Sequence, residues 1–380
     1  MDKIDYYENS EFNSAIDFQY AEPLGFWAIG GLEYNPSKIL WDNHYSEYLG
    51  MLYEFNQQQI EDLKPVVIDE FPTPIAFYFH CFERGCINSK EKLERFKDTY
   101  ESIIFFLFAL VLGEVTYENC SLKDLVKSTS GEQAEHFCFN DLLSDKVSIK
   151  LNIIKEILNR AELLPTKFFF TKVVNNEVLK VLTEFNRFRN TELAHLAALS
   201  EEQATEKIKQ HQEKFFELFQ SLTKLSELSL VIQVGTDGSP LKIKFDVFKG
   251  HSHHRDIQPF SITAEQLTKS ANYLNNQRIL VIAENKIINL APFVHFMLIN
   301  RGHETRICNF KKKGSNGKYK YEVIGQSEEV DFDKSLFETD INGIKALFNL
   351  PVPQPLQSVT MPEWLKSVNS DEDNVSKEAL

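Results

Sequence analysis

The chain has 380 residues, 43% of them hydrophobic and 25% charged, the composition of a folded globular protein with length for more than one core. A net charge of −14 excludes a protein whose whole surface coats nucleic acid, since such surfaces are basic, but it leaves room for a local basic site. The five cysteines are odd in number and form no Cys-x-x-Cys, so neither a disulfide framework nor a zinc knuckle is indicated, and a reducing, cytoplasmic location is expected.

Residues 1–70 read as an N-terminal extension with aromatic pieces at Phe26-Trp27 and from Tyr45 to Phe55, where a few strands and a short helix are expected. The first residues are acidic and polar, without the apolar core of a signal peptide. Pro72 and Pro74 lead into a helix over 74–84. Asn88, with Glu91 three residues on, is close to a capping box and starts a second helix. Leu93, Phe96, Tyr100, Ile103 and Leu107 keep helical spacing along it. Its most apolar run, Ile103 to Leu112, is far short of the ~20 residues of a membrane span and reads as a buried segment. The stretch 119–145 is polar and broken, and 146–160 reads as a helix. A long helix is expected over 172–197. After a Ser200–Gln203 capping box, an amphipathic one is expected over 201–229, with Ala204, Ile208, Phe215, Phe219, Leu222 and Leu225 on one side.

After Ser229 the apolar period changes from 3.6 to 2. Three hairpins are expected, turning at Asp237-Gly238, near Glu284-Asn285 and around Ser315-Asn316-Gly317. The fold class is therefore α+β, a mainly helical bundle over 71–230 followed by a small β-rich domain over 231–330. The remainder, 331–380, holds one short helix at 335–350 and an acidic tail with the composition of a disordered segment.

The stretch EFNRFRNTELAHLAALS, 184–200, carries Arg189, Asn190 and then His195, five residues separating the arginine from the histidine. Here the sequence resembles the HEPN superfamily, whose signature is an Arg, usually a polar residue after it, and a His four to six residues beyond. Its context is similar to that of members from bacterial defence and toxin proteins. An earlier helix carries acidic residues within an apolar run, here Asp98-Thr-Tyr-Glu101, and a Pro-rich entry precedes it, here Phe71 to Ala76. The likeness covers roughly 70–230, and 231–330 loosely. Many members have Gly after the His, where this chain has Leu196.

On a continuous helix, six residues at about 100° each place Arg189 roughly 120° around from His195. The two side chains then share no face. Either the helix breaks between them or each works with groups of a neighbouring chain, and the resemblance implies a homodimer with paired sites.

The resemblance further implies a metal-independent endoribonuclease, without cofactor, whose products end in 2′,3′-cyclic phosphate. His195 suits removal of the 2′-OH proton because an unperturbed imidazole titrates near ~6.5. The planar fork of Arg189 suits the charge on the phosphoryl oxygens. Asn190 is a candidate to orient the phosphate or His195, and Glu101 a candidate orienter from the neighbouring helix. The expected partners are RNA, tRNA or another structured species, and a regulatory or antitoxin protein, in a toxin or antiphage effector. The alternative is a catalytically silent HEPN-fold dimerisation module in a defence complex.

Arg306, Lys311, Lys312, Lys313, Lys318 and Lys320 form the main basic cluster, interleaved with Tyr319 and Tyr321. Lys311, Lys312, Lys313, Lys318 and Tyr319 are the candidate RNA-binding residues, by charge and base stacking. The bland reading is a solvated hairpin tip. Glu192-x-x-His195 has the spacing of a di-metal motif but lacks a second such pair. HSHHRD, His251 to Asp256, reads as an exposed loop rather than a metal site. No metal is expected.

Overall fold

The computed structural model describes residues 3–21, 28–29, 32–33, 35–127, 135–164, 166–193, 196–239, 241–252, 256–299, 304–326 and 328–351. The chain divides into two compact units, Met1–Val67 and Ile68–Leu380.

The first unit carries helices α1 (Ser10–Ala21), α2 (Pro36–Asn43) and most of α3 (Tyr45–Glu70), with two-residue strands β1 (Ala28–Ile29) and β2 (Leu32–Glu33). Short strands are present as expected, while the one short helix is corrected to three helices among the described residues. Their core is aromatic: Phe12, Ile16, Tyr48 and Leu52 are buried, with Tyr6, Trp41 and Phe55 packed around them. The large rings hid the helical period, because they bury the face that small aliphatics usually mark.

The second unit opens with α4 (Thr73–Arg84) and α5 (Ser89–Tyr117). The Asn88 side chain accepts from the Glu91 amide as expected, while the Glu91 carboxylate reaches the amide of Ile87 rather than that of Asn88. α5 is long and apolar enough to cross a membrane by length and composition alone, yet 83% of that stretch is buried. Then come α6 (Phe139–Leu142), α7 (Val147–Ala161), α8 (Phe170–Val173), α9 (Asn176–Thr191) and α10 (Glu201–Ser221). α5 is the hub, packed against α4, α7, α9 and α10. Phenylalanines fill these contacts: Phe96 stacks on Phe215 at 4.1 Å between ring centres, and Phe79 meets Phe219 at 4.6 Å.

The long helix expected over 172–197 is two helices, α8 and α9, because Asn175 caps α9 through the Val178 amide. α9 also stops early, at Thr191. Likewise α10 ends at Ser221, and a 3-10 turn over Thr223–Glu227 completes the segment expected to reach 229.

The remaining elements are β3 (Ser229–Thr236), β4 (Lys242–Phe248), β5 (Asp256–Ser261), α11 (Ala264–Ser270), β6 (Leu280–Ala283), β7 (Lys286–Asn289), β8 (Val294–Ile299), β9 (Glu304–Lys313), β10 (Lys318–Val323), β11 (Glu329–Asp333) and α12 (Glu338–Leu347). The fold is α+β, with two antiparallel sheets after the helices: five strands in the order β5-β4-β3-β6-β7 and four in the order β11-β10-β9-β8. The three expected hairpins are present, β3–β4, β6–β7 and β9–β10. β7 packs directly on α5. Gly113 makes this possible, since a Cβ there would lie 2.5 Å from the Asn289 carbonyl oxygen. The acidic tail lies outside the described residues.

Candidate functional site

Arg189 sits in the last turn of α9, which buries Val178, Leu179, Leu182, Phe185 and Phe188. The Tyr100 hydroxyl on α5 donates to the Leu182 carbonyl at 2.7 Å and ties the two helices together. Glu101, the next residue on α5, then meets Arg189, whose Nε donates to Glu101 Oε1 at 2.5 Å. Nη1 donates to Asn190 Oδ1 at 2.9 Å. Nη2 has no hydrogen-bond partner among the described residues and is the guanidinium edge still available to a ligand. Asn190 itself is exposed.

Arg189 and Glu101 line a cleft of about 300 Å³, to which α4 adds Tyr78, the segment before α7 adds Asp145, and the four-stranded sheet adds Asn309, Phe310, Lys311 and Glu322. Two groups named separately in the sequence, Arg189 with Glu101 and Lys311, therefore meet in one place. The carboxylates of the cleft are Asp98, Glu101, Asp145 and Glu322, facing the cations Lys97, Arg189 and Lys311. Burial pushes the Asp98 carboxyl up to about 6, against the opposing pull of Lys97 and Arg95. Arg95 holds Asp98 at 2.9 Å. Burial alone would lower the Lys311 pKa, but its pairs with Glu329 at 3.1 Å and Glu322 at 3.5 Å raise it. Asn309 Oδ1 is buried without a hydrogen-bond partner, an acceptor that a ligand N–H or O–H would satisfy. Asn309 and Glu322 carry no local sequence signal, because only the packing of the sheet brings them here.

His195 lies outside the described residues. On either side of it, α9 ends with Glu192 as its cap and a short 3-10 turn begins at Leu196. The helix therefore breaks between Arg189 and His195, which removes the constraint of a continuous helix face. Glu192 pairs with Lys207 of α10.

The rest of the basic cluster is divided. Lys312 is exposed, and Lys313 and Lys318 line a different cavity. Tyr319 lines that second cavity too, but against the stacking role expected of it, it is 3% exposed, packed edge-on against Phe310 and stacked with Phe337, which leaves little of its ring for a nucleobase. Tyr321 is fully buried beside it. In KYKYEV both tyrosines share the inward face with Val323, a sign that alternation alone would have given.

Of the histidine-rich loop, His253 and His254 lie outside the described residues. The His251 ring stacks on that of His80 at 4.1 Å, with its Nδ1 3.7 Å from Asp69. Among the described residues no group of three or more His, Cys, Asp or Glu is placed to hold a metal ion. Comparison with protein-family models, with curated proteins and with solved structures gives no match to this chain.

Proposed function

We propose that the chain is a metal-independent endoribonuclease of HEPN type, acting as a homodimeric toxin or antiphage effector on tRNA or other structured RNA. His195 takes the 2′-OH proton. The 2′-oxygen bonds to phosphorus, the bond from phosphorus to the 5′-oxygen breaks, and the leaving oxygen takes a proton from solvent. Arg189 offers Nη2 to a phosphoryl oxygen, Asn190 steadies the guanidinium, and Glu101 fixes its plane. The observation that carries this reading is the Glu101–Arg189 bond in an open cleft, since the guanidinium is held from behind and keeps one edge for a ligand.

The test is incubation of wild type, His195→Ala and Arg189→Ala with total RNA in excess EDTA. Cutting by the wild type alone, with 2′,3′-cyclic phosphate ends, is expected. Full activity in either variant would overturn the assignment.

The second reading, a catalytically silent dimerisation module, draws support from the same cleft. Arg189 is already ion-paired, and four carboxylates against three cations oppose an incoming phosphate. It predicts a dimer that leaves RNA intact at every protein concentration.

A further inference from the structure

On the outer end of the four-stranded sheet, four lysines from separate segments converge on one cavity of about 240 Å³. Lys313 ends β9 and Lys318 begins β10, on either side of a turn through Gly314 and Gly317. Lys334 follows β11, its amide donating to the Gly317 carbonyl at 2.9 Å. Lys345 comes from α12. Opposite them stands α6, from which Asn140 accepts from the Lys313 ammonium at 2.7 Å, while Phe139 lies under the Lys345 ammonium at 5.2 Å. Only the hairpin lysines belong to the sequence cluster; the fold adds the other two.

What marks the place is missing neutralisation. The chain carries an excess of 14 negative charges, yet none of these four lysines forms an ion pair with a carboxylate among the described residues. On the same two strands, Lys311 pairs with Glu322 and Glu329, and Lys320 with Glu329 and Asp331. Nearby carboxylates are committed elsewhere. Asp333, the strand partner of Lys318, feels that lysine's charge without closing an ion pair with it and accepts instead from the Ser335 amide and hydroxyl, while Asp141 pairs with Lys127 and accepts from the Cys138 amide. Among the described residues no carboxylate lines the cavity. Like charges gathered around a hollow repel one another and focus a positive potential into it, which an anion relieves. At roughly 30 Å³ per water the cavity has room for a diphosphate group, and lysine ammonium groups serve phosphate as point charges.

We propose that the cavity bounded by Lys313, Lys318, Lys334, Lys345 and Asn140 is a binding site for a ligand bearing two or more phosphate groups. It stands whether or not the Arg189 cleft cuts RNA. The phosphates belong either to RNA or to a free nucleotide, and the chemistry that recognises them is the same.

The probe is inorganic pyrophosphate, titrated calorimetrically into the full chain at low ionic strength. Saturable one-site binding is expected. The Lys318→Ala/Lys345→Ala variant should bind about tenfold or more weakly, and Lys318→Arg/Lys345→Arg within about threefold of wild type. Lys155→Ala/Lys209→Ala, which removes the same charge from exposed positions of α7 and α10, should bind as wild type does. Circular dichroism checks the fold of each. Absence of saturable binding, an alanine pair as tight as wild type, or equal weakening by the Lys155/Lys209 control would overturn the proposal. Displacement of pyrophosphate by a short single-stranded RNA assigns the phosphates to RNA, and displacement by ADP but not by RNA assigns them to a nucleotide.

Discussion

The Lys286 ammonium, at the start of β7, donates to the fully buried Glu114 carboxylate of α5 at 2.7 Å. The same carboxylate accepts from the Phe169 and Phe170 amides at 2.6 and 2.9 Å and so caps α8. One side chain thereby joins the helical hub, a short helix and the five-stranded sheet. A buried charge of this kind is tolerable only while every partner stays in place. Glu114→Gln keeps the shape, removes the charge and turns an amide NH2 toward groups that need an acceptor. The expected loss is about 3 kcal/mol, read as a lower urea midpoint with an unchanged slope. Wild-type stability in this variant would mean that the contact contributes nothing net.

Gly113, one residue earlier, sets the approach of the same helix to the same strand. An added methyl group would meet the Asn289 carbonyl oxygen at 2.5 Å and Ile288 Cγ2 at 2.7 Å. Backbone cannot yield as a flexible side chain does, so Gly113→Ala should cost about 1–3 kcal/mol through overpacking, although alanine is the better helix former. Thermal unfolding measures the sign, and a raised melting temperature would mean that helix and sheet separate easily.

These contacts mark the limit of what the sequence makes legible. The hairpins were readable because turn residues such as Asp237-Gly238 and Asn316-Gly317 separate alternating runs, as the φ values of +68° at Gly238 and +73° at Gly317 require. β5 escaped because Pro259 and a mostly exposed pattern suit an edge strand without alternation. β8 escaped because Val294 to Ile299 is apolar apart from one histidine. Glu101 could be named beforehand through the family resemblance, which places an acidic residue on an earlier helix within an apolar run. Asn309, Glu322, Lys334 and Lys345 could not, because strand-to-helix packing brings each to its cavity.

At the Arg189 cleft, Glu101→Gln retains an acceptor for Nε but loses the charge. A charge-assisted hydrogen bond exceeds a neutral one by about the free energy of a tenfold change, so RNA cleavage should fall about tenfold. Arg189→Lys removes the planar fork and should cost about a hundredfold. Single-turnover rates on one RNA substrate distinguish the two, and equal rates for both variants and wild type would separate this pair from the chemistry.

Asp98 gives the cleft a pH dependence. With the carboxyl raised to about 6 by burial, the folded state holds that proton more firmly than the unfolded chain does. Its stabilising contribution is complete below the ordinary carboxylate range and is lost as pH rises through about 6. Over the same interval the cleft gains a negative charge. Affinity for an RNA oligonucleotide in His195→Ala, which separates binding from cutting, should therefore rise as pH falls through about 6. Adding Asp98→Asn should flatten that rise, and an unchanged profile would mean that Asp98 does not face the ligand.

Lys150 carries the opposite sign. It lies in α7, 1% exposed, with its ammonium 4.2 Å from the centre of the Phe108 ring and 5.1 Å from that of Phe105. Burial lowers its pKa to about 7, and Asp145 offsets this only in part. An unfolded lysine titrates near ~10.4, so between about 7 and that value the unfolded chain binds the extra proton. The Lys150 contribution to stability is then present above the unfolded pKa and is lost as pH falls toward and through about 7. Lys150→Met keeps the aliphatic length without the charge. It should stabilise the protein most at or below neutral pH, with the advantage shrinking as pH rises toward ~10. Urea midpoints of the two chains at pH 6, 8 and 10 test this. A difference that stays constant with pH would show that the methionine acts by packing alone, with Lys150 charged throughout.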